Sequence, residues 1–238
     1  MCYNLNHLAI EAGNKKYKTL GNGWGITDEK YKIIYCGSRS IDWSLLPKSI
    51  ERVDDYAFYG RSLAEPVVQI PNHIHEIGEL AFAYTNIRSL SFKKGVRSIG
   101  FGAFMECANL KNITFCDGIK TIETGAFDGC YMIENITFGK GIVNCFRPFR
   151  WEDMLMLRSL TFPSKKHFES YTHAGERSLH EVMGTRCSVY DIELWDLIDK
   201  NYLLLFYDRG TQYYTEGEPY KVNLMKKNDN KRINRKLN

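Results

Sequence analysis

The chain has 238 residues, 44% apolar and 13% aromatic, enough for one elongated domain or two small ones with a buried core. No run approaches the roughly 18 consecutive apolar residues that a membrane-spanning helix needs. The formal charge of +4 is uneven: residues 226–238 hold six bases and one acid, Asp229, which leaves the preceding body near neutral and excludes a broadly basic, nucleic-acid-coating surface.

The opening residues, Met1-Cys2-Tyr3-Asn4-Leu5-Asn6-His7-Leu8, lack a basic segment followed by an apolar one, so no signal peptide is expected there. The chain is cytoplasmic if Met1 is its native start, and at the surface or secreted if an export signal has been removed. The seven Cys show no paired spacing, and free thiols favour a reducing compartment. Residues 1–45 are expected to form an N-terminal β cap. Trp24-Gly25-Ile26 and Tyr31-Lys32-Ile33-Ile34-Tyr35 read as strands, with Thr27-Asp28-Glu29-Lys30 as the turn between them. An earlier strand is expected over residues 7–10, followed by a turn at Gly13-Asn14-Lys15. Gly21-Asn22-Gly23-Trp24-Gly25 lacks the Gly-Lys-Ser/Thr ending of a phosphate loop and reads as a turn.

An internal repeat follows. Ala57-Phe58, Ala81-Phe82, Ala103-Phe104 and Ala126-Phe127 stand 24, 22 and 23 residues apart, and Pro148-Phe149 marks a degenerate fifth unit. Apolar residues precede each Ala by seven and by four: Ile50 and Val53, Ile74 and Ile77, Val96 and Ile99, Ile119 and Ile122. Ile142 and Cys145 take these places in the fifth unit. After the Phe comes apolar-x-x-apolar-x-apolar: Ile87, Leu90, Phe92; Leu110, Ile113, Phe115; Ile133, Ile136, Phe138; Leu157, Leu160, Phe162. This last segment alternates with the strand period of two. The Gly-x-x-Ala-Phe-x-x-Cys stretch is too short for a free helix, and a single docked helical turn is expected, with Gly78, Gly100 and Gly125 supplying unusual backbone angles. One unit cannot bury its own apolar face, so the units must stack, Phe upon Phe. Cys107 and Cys130 share a repeat position and are expected to act as small buried apolar groups.

This pattern resembles the BspA-like branch of the leucine-rich repeats. Residues 96–115 and 119–138 match its Val-x-x-Ile-Gly-x-x-Ala-Phe-x-x-Cys-x-x-Leu-x-x-Ile-x-Ile-Pro consensus almost letter for letter. The consensus Pro is kept at Pro47, Pro71 and Pro163 and lost at Lys93, Cys116 and Gly139. Residues 46–163 carry the resemblance, and a Trp-x-Ile hairpin ahead of the repeats fits it too. The resemblance implies an α/β, short, strand-rich, right-handed β-α solenoid of about five coils. It also implies relatives that are often bacterial surface or secreted proteins engaging host proteins or other cells.

Residues 164–225 are expected to be a mixed C-terminal cap or a small α/β extension. A short helix is expected over residues 191–199, and a buried strand over 202–207 that turns at Asp208-Arg209-Gly210 into a second strand, 211–215. The tail from 226 onward has the composition of a disordered segment.

No catalytic motif stands out. His73 and His75 flank the core residue Ile74 without two further zinc ligands, and His167, His173, His180 and Cys187 form only a loose set, so neither a metal nor a cofactor is assigned. Asn112-Ile113-Thr114 and Asn135-Ile136-Thr137 match the N-glycosylation pattern, but their shared repeat position explains them. The basic tail lacks aromatic residues to stack on bases, which makes nucleic acid a poor partner.

What the repeat offers is a surface. Residues alternating with the core ones line up in two polar columns, Ser89, Asn112, Asn135, Ser159 and Ser91, Thr114, Thr137, Thr161. The expectation is non-enzymatic recognition of a protein or glycan through this face, with no small-molecule pocket. A surface adhesin, and an enzyme or effector in residues 164–225 with the repeats as its targeting arm, are the alternatives.

Overall fold

The computed structural model describes residues 7–21, 23–28, 30, 33–37, 43, 46–140, 144–145, 149, 156–162, 202–205 and 220–226. The cap is an antiparallel sheet of β1 (Tyr17–Leu20), β2 (Gly25–Asp28) and β3 (Ile33–Gly37). Residues 7–10, expected as a strand, form none: the Leu8 N–H bonds the Gly23 carbonyl and the Ile10 N–H bonds Thr19 Oγ1 instead. The first strand is β1, and the glycine-rich stretch is the turn joining it to β2, where Gly23 N–H reaches the Leu20 carbonyl at 3.0 Å. The turn expected at residues 27–30 starts later, because Thr27 and Asp28 still pair with Lys18 and Tyr17.

β3 then pairs in parallel with β4 (Arg52–Val53), so the cap's sheet runs on into the repeats. Each coil gives two strands. β4, β6 (Glu76–Ile77), β8 (Ser98–Ile99), β10 (Thr121–Ile122) and β12 (Asn144–Cys145) continue the first sheet in parallel. β5 (Val67–Ile70), β7 (Ser89–Phe92), β9 (Asn112–Thr114), β11 (Asn135–Thr137) and β13 (Ser159–Phe162) form the second, also parallel to one another. The chain thus makes about four complete turns of solenoid, with β12, Phe149 and β13 marking a fifth.

The apolar positions of the repeat fill the space between the sheets. Ile50, Val53, Ile74, Ile77, Val96, Ile99, Ile119 and Ile122 are buried along the first sheet. Val68, Ile70, Leu90, Ile113 and Ile136 are buried along the second. Phe58, Phe82, Phe104 and Phe127 stack nearly parallel, centroids 4.8, 5.2 and 5.3 Å apart, and Phe149 extends the pile at 5.0 Å. Phe149 fills its unit's place although the Ala before it has become Pro148. Trp43 closes the other end, 6.1 Å from Phe58. A second pile, Phe92, Phe115 and Phe138, meets the first edge-on, Phe92 to Phe104 at 5.9 Å and Phe115 to Phe127 at 5.6 Å. Each buried ring contributes about 1.5–3 kcal/mol.

The expected helical turn is not there: the described residues contain no α-helix, so the fold is strand–turn–strand rather than β-α. The physical reason lies in two residues of each Ala-Phe run, four positions apart. The residues just before Ala and three after it have positive φ in all four coils: Tyr56 and Gly60, Leu80 and Tyr84, Gly102 and Glu106, Gly125 and Gly129. A right-handed helix cannot pass through those angles. Instead, every second N–H closes a tight turn within its own coil, as Ala103 does onto the Gly100 carbonyl. The N–H groups between them reach across: Phe58 to the Ala81 carbonyl, Phe82 to Ala103 and Phe104 to Ala126, each at 2.7 Å. The turn side is thus a third ladder of inter-coil hydrogen bonds. Gly78 and Gly100 serve close approach rather than unusual φ, since a Cβ on Gly100 would fall 2.9 Å from the Gly78 carbonyl carbon. Gly125 alone of the three has positive φ, at 64°.

Cys107 and Cys130 are buried, as expected, but they also donate. Cys107 Sγ bonds the Phe82 carbonyl at 3.3 Å and Cys130 Sγ the Phe104 carbonyl at 3.2 Å. Burial pushes the Cys130 thiol up.

At the far end, β15 (Tyr220–Lys226) pairs antiparallel with β13, and β14 (Tyr202–Leu205) pairs antiparallel with β15. β14 lies in the expected strand, but its partner is β15, and Lys226 belongs to that strand rather than to the tail. The expected helix at 191–199, the strand at 211–215 and the tail from 227 lie outside the described residues.

The corner between the sheets carries a pH-sensitive group. Burial holds the His73 imidazole below its ordinary value, and His75 and Lys48 act in the same direction. The unfolded chain protonates this ring near pH 6.5 while the folded chain resists, so stability drops as pH falls below that value until the folded ring is protonated too. His73→Gln should therefore show a smaller drop in melting temperature between about pH 7.5 and 5.5 than the parent chain. An equal drop would remove His73 as the cause.

Candidate partner-binding face

The second sheet sets the geometry. Its strands are in register, so residues at one repeat position form straight columns about 4.8 Å per step. The register places Ser89, Asn112, Asn135 and Ser159 in one column and Ser91, Thr114, Thr137 and Thr161 in the next. It also adds Val67 and Gln69 of the first coil, which pair with Ser89 and Ser91. Val67 is 65% exposed and gives the first column an apolar end.

The two columns differ in what their side chains do. In the first, Asn135 Nδ2 donates to Asn112 Oδ1 at 2.8 Å, and Ser159 Oγ donates to Asn135 Oδ1 at 2.6 Å. This ladder ties three coils together, a structural task for residues expected to meet a partner. Ser159 is 4% exposed beside β15, so it drops out of the accessible face. In the second column no side-chain hydrogen bond joins Ser91, Thr114, Thr137 and Thr161, and Thr114 is exposed. Its hydroxyls are not tied to one another as the first column's side chains are.

A charged row borders the columns. Lys111 Nζ lies 2.9 Å from Glu134 Oε1, and Arg158 Nε lies 3.9 Å from Glu134 Oε2. The Lys111 hydrogen bond, helped by Arg158, holds the Glu134 carboxyl below its usual range. Among the described residues no group of three or more His, Cys, Asp or Glu side chains converges as a metal site would require, and no helix is long and apolar enough to cross a membrane. The His167, His173, His180 and Cys187 set lies outside the described residues, as does most of 164–225.

A family model described as "BspA type Leucine rich repeat region" matches residues 31–148 in six copies. The repeat array belongs to the BspA-type leucine-rich repeat family. The matched stretch starts ahead of residue 46, because β3 already stacks on β4 as a coil would. Among solved structures, this leucine-rich repeat chain is similar to the pneumococcal vaccine antigen PcpA, with a TM-score of 0.52 and 17% identity over 60% of this chain and 38% of that one. It is also similar to a leucine rich cell surface protein from Faecalibacterium prausnitzii, with a TM-score of 0.44 and 19% identity over 65% and 46%. A leucine-rich repeat protein from Eubacterium ventriosum gives a TM-score of 0.45 and 18% identity over 60% and 44%. The chain therefore spans less than half the length of each of these three, and PcpA supports the fold alone. A comparison with curated proteins finds no match.

Proposed function

We propose that this leucine-rich repeat is a non-enzymatic recognition module that binds a protein partner on the outer face of the second sheet, centred on Ser91, Thr114 and Thr137. The observation carrying this reading is the contrast between the columns: one is occupied by its own hydrogen-bond ladder, and the other presents an evenly spaced row of hydroxyls not tied to one another. Repeat arrays use extended rigid faces of this kind, and rigidity lowers the entropic cost of binding. The bordering Lys111–Glu134 pair fits the polar rim of an interface around a less charged centre.

The test is a binding screen of the full chain on protein and glycan arrays, with Thr114→Arg/Thr137→Arg alongside. The substitutions are on the surface and should shift stability by no more than about 0.5 kcal/mol. A protein ligand should lose at least about tenfold in affinity while the melt is unchanged. A ligand bound equally by both chains would remove the face from consideration. A glycan bound in its place would keep the face and change the partner class.

A further inference from the structure

The turn side of the solenoid is a different surface from the sheet face, and its chemistry is distinct. Segments 54–62, 78–86, 100–108 and 123–131 hold six carboxylates, Asp54, Asp55, Glu79, Glu106, Glu123 and Asp128, against one basic residue, Arg61. Arg61 is 8% exposed. The corners that close the second, third and fourth coils have the opposite sign, with Lys93, Lys94, Arg97, Lys120 and Lys140 against Asp117. The solenoid is therefore electrically polarised across its section, and the turn side draws cations.

The same side exposes aromatic rings. Tyr56 and Tyr84 are each 50% exposed, and Phe101 is 41% exposed. Tyr59 lies between the tyrosines, 5.7 Å from the Tyr56 ring and 5.3 Å from the Tyr84 ring, so three phenols form one shelf over the first two coils. Tyr56 and Tyr84 are held outward at a cost. Both have positive φ, 59° and 60°, at positions where other coils use glycine, and left-handed backbone at a bulky residue is unfavourable. Glu79 borders the shelf, its Oε1 accepting from the Tyr56 hydroxyl at 3.3 Å. Asp54 and Asp55 are already paired with Arg52, at 3.1 and 2.8 Å, which leaves the Glu79–Glu106 side as the more negative rim.

We infer that the turn side is a second docking surface, taking an extended lysine- or arginine-bearing segment of a protein, with cationic side chains over the Tyr56–Tyr59–Tyr84 shelf and within reach of Glu79 and Glu106. Ring faces attract cations, and neighbouring carboxylates add to that attraction. A neutral glycan would use the rings but not the negative rim, and an anionic partner would be repelled.

The probe is a fluorescein-labelled peptide of alternating glycine and lysine, followed by anisotropy with the full chain. A glycine–glutamate peptide and a cello-oligosaccharide serve as comparisons. The lysine peptide should bind, weakening with salt, and Tyr56→Asn/Tyr84→Asn should bind it about tenfold more weakly. Asn tolerates the left-handed backbone, so the melt should hold. Glu106→Gln, which leaves every ring in place, should weaken binding about threefold, and Asn72→Ser, at an exposed position on the corner away from the turn side, should change nothing. Equal binding by the parent and both turn-side variants would overturn the inference, leaving only unspecific charge attraction. So would preferential binding of the oligosaccharide. Binding that appears only after Lys227, Lys231, Arg232, Arg235 and Lys236 are changed to Gln would also overturn it, since the occupant would then be the chain's own basic end.

Discussion

Phe104→Ala should lower the stability of the array by about 3–5 kcal/mol and its melting temperature by roughly 10 °C. Phe104 is fully buried and sits in the middle of the pile, with Phe82 and Phe127 stacked on its two faces and Phe92 against its edge. Truncation removes the ring's transfer energy and leaves a void that neither neighbour can fill, because each is held by its own coil. The consequence should extend beyond the local loss. A solenoid's stability is close to a sum of unit and nearest-neighbour terms. Weakening the central interface should therefore broaden or split the melt rather than merely shift it. Phe138→Ala is the contrast, since that ring is only partly buried at the edge of the second pile, and its effect should be clearly smaller. Calorimetry of both variants checks the pair. Equal effects, or a sharp single transition in Phe104→Ala at the parent's temperature, would contradict this role.

Gly95→Ala should cost about 3 kcal/mol or more, despite adding one methyl group. A Cβ on Gly95 would stand 1.6 Å from the Asn72 carbonyl oxygen and 2.4 Å from its carbon. These are backbone atoms of the preceding coil, with no rotamer to move aside. Relief requires the two corners to separate, which strains the adjoining ladder bonds, including Lys93 N–H to the Ile70 carbonyl at 3.0 Å. The neighbouring Lys94 is exposed, and Lys94→Ala should stay within about 0.5 kcal/mol of the parent. Chemical denaturation of the two variants is the check. A Gly95→Ala chain as stable as Lys94→Ala would mean that the coils are not as closely spaced at that corner.

Much of this architecture was legible because it is written periodically. The spacing of the Ala-Phe pairs gives the coil length, and the alternation in Ile113-Thr114-Phe115 gives both the core side and the outward columns. What the sequence hid follows from physics too. Two-residue strands such as Ser98–Ile99 are too short to show alternation, so the repeat strands of the first sheet left no strand period of their own. The turn run imitated a helix because half of its left-handed positions are filled by Tyr56, Leu80, Tyr84 and Glu106 instead of glycine. These angles are imposed by the bonds to the next coil, which no local propensity reports. β15 did carry a signal, Tyr220, Val222 and Leu224 alternating with Lys221 and Asn223, but the proximity of the basic end obscured it. For the candidate face, the sequence supplied the columns. Which column is laddered could not be read there, because the Asn112–Asn135–Ser159 ladder depends on side-chain reach between coils.

The fold rests on coils stacked in register around a continuous file of phenylalanine rings. Ring-proton nuclear Overhauser contacts, with the phenylalanines labelled and assigned, measure this most directly. Phe104 should show contacts to Phe82 and to Phe127, and Phe82 and Phe127 should show none to each other. A Phe104 ring in contact with neither, or Phe82 and Phe127 in direct contact, would contradict the stacking and everything derived from it.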